Sequence, residues 1–156
     1  MVRKQLSKEE ALSRLKHICA SNEKCLYDVK QKLKSWGLID IFDEIADELI
    51  DEKYIDELRY AESFANDKVK FSYWGRKKIR YTLIGKGISD STIDSALKSL
   101  NLEEYRQVVE KELNKKMRSL KEEDAYKKKQ KVFAFAAQRG YEGDLVSDIL
   151  GDLDTF

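Results

Sequence analysis

Between Lys68 and Ile88 the chain reads Lys-Val-Lys-Phe-Ser-Tyr-Trp-Gly-Arg-Lys-Lys-Ile-Arg-Tyr-Thr-Leu-Ile-Gly-Lys-Gly-Ile. Six cations and no carboxylate lie from Lys68 to Arg80. Cations beside aromatic rings can hold phosphates while bases stack, or can meet an acidic protein groove. If a helix opens at Gly75, Ile79 and Leu83 share its apolar face. Arg76, Lys77, Arg80 and Lys86 are then left to project outward. Tyr73 and Trp74 sit beside them at the turn, where Trp74 is expected to anchor the core and Gly75 to permit a tight bend. Tyr73, Trp74, Arg76, Lys77, Arg80 and Lys86 form the candidate partner-binding site. A second basic run, Lys127, Lys128, Lys129 and Lys131, covers nearly a full helical turn. It suits a phosphate backbone or a merely solvated helix face.

Other chemistries find little footing. Gly85-Lys86-Gly87 lacks the spacing of a phosphate-binding loop, and there is no His-Glu-x-x-His pattern. His17 is the only histidine, so neither a zinc site nor a nucleophile–histidine pair is expected. Cys19 and Cys25 lie among apolar residues and read as reduced core thiols. No catalytic residue, metal or cofactor is expected. The opening residues do not resemble a secretory signal, and no apolar run approaches the roughly 20 residues of a membrane span. The expected location is the cytoplasm.

The elements that must position the basic stretch are helices. Proline is absent, against about 5% in an average chain, which favours long helices over turn-rich sheet. Ser7 and Glu10 form a capping box ahead of Ala11, Leu12, Leu15, Ile18 and Cys19. A second helix carries Leu26, Val29 and Leu33 and stops at Gly37. A third, from about Asp40, has the clearest 3.6-residue pattern: Ile41, Phe42, Ile45, Ala46, Leu49 and Ile50. Further helices are predicted from near Asp56, Gly75, Asp90 and Asn101, over about Glu122 to Arg139, and around Leu145 to Leu150.

Nine helices fall into three groups of three. Gly37, Gly87 and Gly140 mark the same place in each group, at intervals of 50 and 53 residues. Val29, Ile79 and Val132 precede the glycines by eight positions, and Leu33, Leu83 and Ala136 by four. Leu38, Ile88 and Tyr141 follow directly. Ile93 and Val146, then Leu97 and Leu150, continue the match, while the first group needs a two-residue insertion to align Ile45 and Leu49. This is a helical repeat array. The expectation is all-α: tandem three-helix repeats forming an elongated, curved molecule, with units over residues 1–53, 54–100 and 101–156. Such an array is expected to work as a monomer.

Net charge is only +1 but is unevenly spread. Nine acids against one cation lie from Asp40 to Glu57, and five acids without a cation from Glu142 to Phe156. Nine cations face four acids from Lys111 to Lys131. Alternating blocks suggest partners with a charge texture of their own, such as a protein–DNA assembly. Leu153 and Phe156, in the acidic tail, could dock on the last repeat.

Three segments together resemble a known family. They are Tyr54-Ile55-Asp56-Glu57-Leu58-Arg59-Tyr60-Ala61 with Phe64, then Trp74-Gly75-Arg76-Lys77-Lys78-Ile79-Arg80, then Lys86-Gly87-Ile88. In order and spacing they resemble RecX, the bacterial regulator of the RecA recombinase. Glu57 stands where that family usually has Asp, and Arg76 replaces a proline common after the glycine. The resemblance implies tandem three-helix repeats, no cofactor, and binding along the groove of the RecA–DNA filament. It further implies inhibition of the filament's ATPase, strand-exchange and coprotease activities. It leaves open direct contact with single- or double-stranded DNA. The residues alone leave a second reading: an electrostatic nucleic-acid-binding module that acts without a recombinase. Arg59 and Tyr60 read as structural, with Arg59 pairing to Glu57 or a neighbouring carboxylate.

Overall fold

The structure, a computed structural model, describes residues 5–152, so Leu153 and Phe156 lie outside the described residues. Those described residues form helices and no strand. The first three helices are α1 (Lys8–Ser21), α2 (Leu26–Ser35) and α3 (Phe42–Asp51). The next three are α4 (Glu57–Ser72), α5 (Arg76–Gly85) and α6 (Asp90–Lys98). The last three are α7 (Leu102–Ser119), α8 (Ala125–Arg139) and α9 (Gly143–Asp152).

The caps follow local side-chain chemistry. Ser7 accepts from the Glu10 N–H at 3.1 Å, and Asn101 from the Glu104 N–H at 3.0 Å. Asp124 accepts from the Lys127 N–H at 3.0 Å, so α8 starts three residues later than its apolar pattern predicts. The expected start of α3 at Asp40 is corrected in the same way. Ile39–Ile41 forms a 3₁₀ turn that absorbs the insertion in the first repeat, and α3 begins at Phe42.

The repeat itself has a hydrogen-bond signature. Gly37, Gly87 and Gly140 are all left-handed, with φ of 72°, 74° and 86°. At each, the next residue's N–H returns to the carbonyl five positions back: Leu38 to Leu33 (2.8 Å), Ile88 to Leu83 (3.1 Å), Tyr141 to Ala136 (3.0 Å). The apolar offsets around the glycines are therefore the two ends of one helix-terminating motif.

Burial divides into two cores. The first gathers Ala11, Leu15, Cys19, Val29, Leu33, Ile45, Leu49 and Ile55. The second is continuous through α4 to α9, from Tyr60 and Ile79 to Val132, Tyr141 and Ile149. Ile55, just before α4, packs in the first core. Cys25, just before α2, packs in the second. Both thiols are free and buried. Burial pushes Cys25 up to about 11.

Candidate partner-binding site

Helix α5 carries the basic stretch, and its start is held by backbone from the third repeat. The Gly75 N–H donates to the Arg139 carbonyl at 2.6 Å, and the Lys77 N–H to the Gly140 carbonyl at 3.0 Å. The Arg76 N–H donates to the Tyr105 hydroxyl at 3.0 Å. The free N–H groups that open α5 thus meet the carbonyls that end α8, joining the positive end of one helix to the negative end of another.

This joint gives Gly75 a different role from the expected one. Its φ is an ordinary −86°, and the left-handed residue of the turn is Tyr73, at φ 58°. What requires glycine is proximity: a Cβ on Gly75 would lie 2.2 Å from the carbonyl carbon and oxygen of Gly140. Tyr73 keeps its backbone conformation because its carbonyl accepts from the Tyr141 hydroxyl at 2.6 Å.

The six cations from Lys68 to Arg80 divide by partner. Trp74 packs edge-on to Phe64, ring centroids 6.2 Å apart, and is flanked by Lys68 at 4.6 Å and Lys78 at 4.5 Å. It is partly buried against the second core, as a core anchor should be. Lys70 lies over Phe71. Arg76 donates to Glu142 Oε2 at 2.6 Å and lies over the Tyr105 ring, while the Tyr105 hydroxyl donates to Glu142 Oε1 at 2.7 Å. The hydrogen bond to Glu142 raises the Arg76 guanidinium above its ordinary value. Arg80 reaches Asp94 on α6 at 2.5 Å. Lys77 is exposed and has no ion-pair partner among the described residues.

The expected outward projection of all four named cations is therefore corrected. Arg76 and Lys86 are turned into the molecule. Lys86 pairs with Asp28 of α2 at 2.9 Å and lies between the rings of Tyr27 and Tyr60. Burial pulls the Lys86 ammonium down, but hydrogen bonds to Asp28 and Tyr60 outweigh it and hold the group above the ordinary lysine range. Arg59 pairs with Glu23 at 2.6 Å, across the boundary between the first two repeats, and not with Glu57. The Glu57 carboxylate instead accepts from the Leu26 N–H at 3.3 Å.

Two residues of this face escaped the sequence reading. Tyr81 is 80% exposed and Ile84 51% exposed. They follow Lys77 at four and seven positions, so Lys77, Tyr81 and Ile84 form one solvent stripe opposite Ile79 and Leu83. The signal was present: a tyrosine and an isoleucine off the apolar face of a highly charged helix.

The second basic run occupies the first two turns of α8. Lys127 and Lys129 are exposed, Lys128 is half-buried, and Lys131 pairs with Glu122 at 3.3 Å. Tyr126, 70% exposed, stands among them. Cations at the positive end of a helix cost about 0.3–1 kcal/mol each at low salt. Among the described residues no group of three or more His, Cys, Asp or Glu side chains could hold a metal ion. No helix there is long and apolar enough to cross a membrane.

Fold and site together define a tandem three-helix-repeat protein with cationic, partly apolar faces. Comparison with known proteins gives the family. Residues 56–97 match the family model for the second three-helix domain of RecX, and residues 103–150 that for the third. A regulatory protein RecX from Oceanobacillus iheyensis is 32% identical over 112 residues, covering 72% of this chain and 41% of that one. One from Clostridium botulinum (strain Eklund 17B / Type B) is 32% identical over 138 residues, covering 86% and 64%. A crystal structure of regulatory protein RecX superposes with a TM-score of 0.81 at 23% identity, covering 96% of this chain and 81% of that one. That of RecX from Lactobacillus salivarius gives 0.78 at 23%, covering 95% and 99%. The chain belongs to the RecX family. It spans less than two thirds of the length of those two sequence relatives.

Proposed function

We propose that this protein is a non-catalytic, cytoplasmic regulator that binds the RecA–DNA filament as a monomer. Binding inhibits the filament's ATPase, strand-exchange and coprotease activities. The observation that carries the reading is the exposed stripe of α5, where Lys77, Tyr81 and Ile84 lie within the segment matched to the second RecX domain. Cations with aliphatic and aromatic neighbours on a rigid helix suit a protein surface of opposite charge. Of the six residues first singled out, Lys77, Arg80 and Tyr73 offer surface to the partner. Trp74, Arg76 and Lys86 hold that surface in place. Residues 1–53, 54–100 and 101–156 serve as the three units of the grip.

The test is DNA-dependent ATP hydrolysis by the cognate recombinase, with this protein titrated in. Inhibition well below one molecule per recombinase subunit supports filament regulation. The double change Lys77→Glu and Arg80→Glu should weaken inhibition at least tenfold while helicity by circular dichroism stays unchanged. Unchanged inhibition with normal helicity would remove α5 from the contact.

A second reading rests on α8. Lys127, Lys128, Lys129 and Lys131 crowd the first two turns of α8, Lys127 within the first turn where the helix dipole disfavours a cation, and Tyr126 is exposed beside them. That end fits a phosphate backbone, single- or double-stranded. Binding to an oligonucleotide in the absence of recombinase, falling steeply with salt, is its signature.

A further inference from the structure

A cleft of about 400 Å³ opens beside the α5 stripe, walled by α5 and α6 and closed by Leu102, the first residue of α7, and by Glu142, just before α9. Its charges are of two kinds. Arg76 is locked to Glu142 and Tyr105 and is not available. Arg80 meets Asp94, but both side chains are well exposed, at 38% and 51%, and such a pair is held weakly. Lys77 on α5 and Lys98 at the end of α6 have no ion-pair partner among the described residues. The remaining lining is aliphatic: Leu97 is buried, while Leu102 is 63% exposed.

We infer that this cleft receives an acidic segment of a protein partner, with an apolar side chain seated on Leu97 and Leu102 and carboxylates on Lys77, Lys98 and Arg80. The inference deepens the filament-regulator reading and rests on it. Charge complementarity selects the occupant: with Arg76 paired to Glu142 and Arg80 to Asp94, Lys77 and Lys98 leave the cleft net positive. The same two carboxylates disfavour a nucleic acid, because Asp94 and Glu142 stand where a run of phosphates would pass. No aromatic ring lines the cleft as a platform for a base. A peptide places its charges unevenly, so it can take the lysines and avoid Glu142. Its carboxylate can also replace Asp94 on Arg80 at little cost, because that exposed pair is weak. Leu102 supplies the apolar contact that a phosphate backbone could not use.

The test is site-specific photocrosslinking with the full chain. Leu102 is replaced by p-benzoylphenylalanine, and a control protein carries the same group at Tyr126. Each is irradiated on filaments of the cognate recombinase assembled on an oligo-dT strand. The expected adduct at position 102 is a recombinase peptide rich in Asp and Glu. An adduct on the DNA, or no adduct while inhibition persists, overturns the inference and leaves filament regulation standing. Wild-type protein that neither binds nor inhibits the filament overturns both. Lys98→Glu guards against a disturbance by the bulky probe. It should raise the concentration for half-inhibition about tenfold, with Lys98→Arg restoring it. An unchanged value for Lys98→Glu counts against the cleft.

Discussion

At the joint between the second and third repeats, two backbones touch. Gly75 accepts no Cβ because of the Gly140 carbonyl, Gly140 accepts none because of Lys78, and one apolar core runs through both repeats. Glu112, the single buried acid among the described residues, lies here and pairs with Arg139 at 2.9 Å. At the joint between the first and second repeats, the long side chains do the work. Arg59 spans to Glu23, Lys86 to Asp28, and Glu57 to the Leu26 N–H, while the two cores remain separate. Two carboxylate oxygens there, Glu23 Oε2 and Glu57 Oε2, are buried without a hydrogen-bond partner. Backbone contact is short-ranged and indifferent to salt, whereas ion pairs weaken with salt and with pH. The joint to the third repeat should therefore be insensitive to salt, and the joint to the first, where Ile55 and Cys25 also exchange cores, salt-sensitive in part.

The sharpest way to break this contrast is Gly75→Ala. Its φ suits any residue, so the whole effect comes from the clash with Gly140, and we expect a loss of about 3 kcal/mol or more in urea unfolding. Gly87→Ala is the counterpart. It has open space around a left-handed backbone and should cost only about 1 kcal/mol. A loss below about 1 kcal/mol for Gly75→Ala would mean the two helix ends can part freely.

Next in size is Glu112→Ala, which strands Arg139 and should cost about 2 kcal/mol. Lys86→Met, at the other joint, leaves Asp28 unpaired and should cost about 1 kcal/mol, as read by thermal unfolding. Salt should separate the two joints as well. Raising it to about 0.5 M should speed hydrogen exchange at the start of α2 more than at the end of α8. Equal protection at both would make the joints alike.

The smallest expected effects are those of pH. Burial would raise Asp28, but hydrogen bonds from Lys86 and the Cys25 N–H hold its carboxyl below the ordinary 3.8. Its contribution is present above that value and is lost as pH falls through the lower folded one. Lys86 is shifted the other way: its contribution is complete below the ordinary 10.5 and is lost as pH rises through its higher folded value. Glu57 opposes Asp28, since burial raises its carboxyl and its ionisation weakens the fold as pH rises past 4.5. Glu57→Gln should therefore be neutral or slightly stabilising near pH 7, with the difference vanishing in acid. A clear destabilisation would show that the Leu26 N–H contact outweighs the cost of burying the charge.

How far the sequence reaches is visible residue by residue. The helices, the three glycines and the RecX likeness were legible, because apolar periodicity and left-handed caps are local properties of neighbouring residues. The candidate site was legible as a segment but not as a surface. Arg76, which opens α5, and Lys86, which caps its end, are cations like Lys77. Only their partners, Glu142 and Asp28, lie 66 and 58 residues away. The alternating charge blocks misled in part for the same reason. Lys8 pairs with Glu44 and Lys16 with Glu52, so some acids in and just after α3 answer α1 and not a foreign surface.

The sequence by itself determined that the chain is helical, that its helices come in threes, and which family it resembles. Those properties need only spacing along one chain and the conformational freedom of glycine. The tertiary structure alone decided which cations are spent inside the molecule, that Gly75 is required by a neighbouring backbone, and that Tyr81, Ile84 and Leu102 face solvent. Each depends on contacts between residues distant in sequence, which form only when the repeats pack against one another.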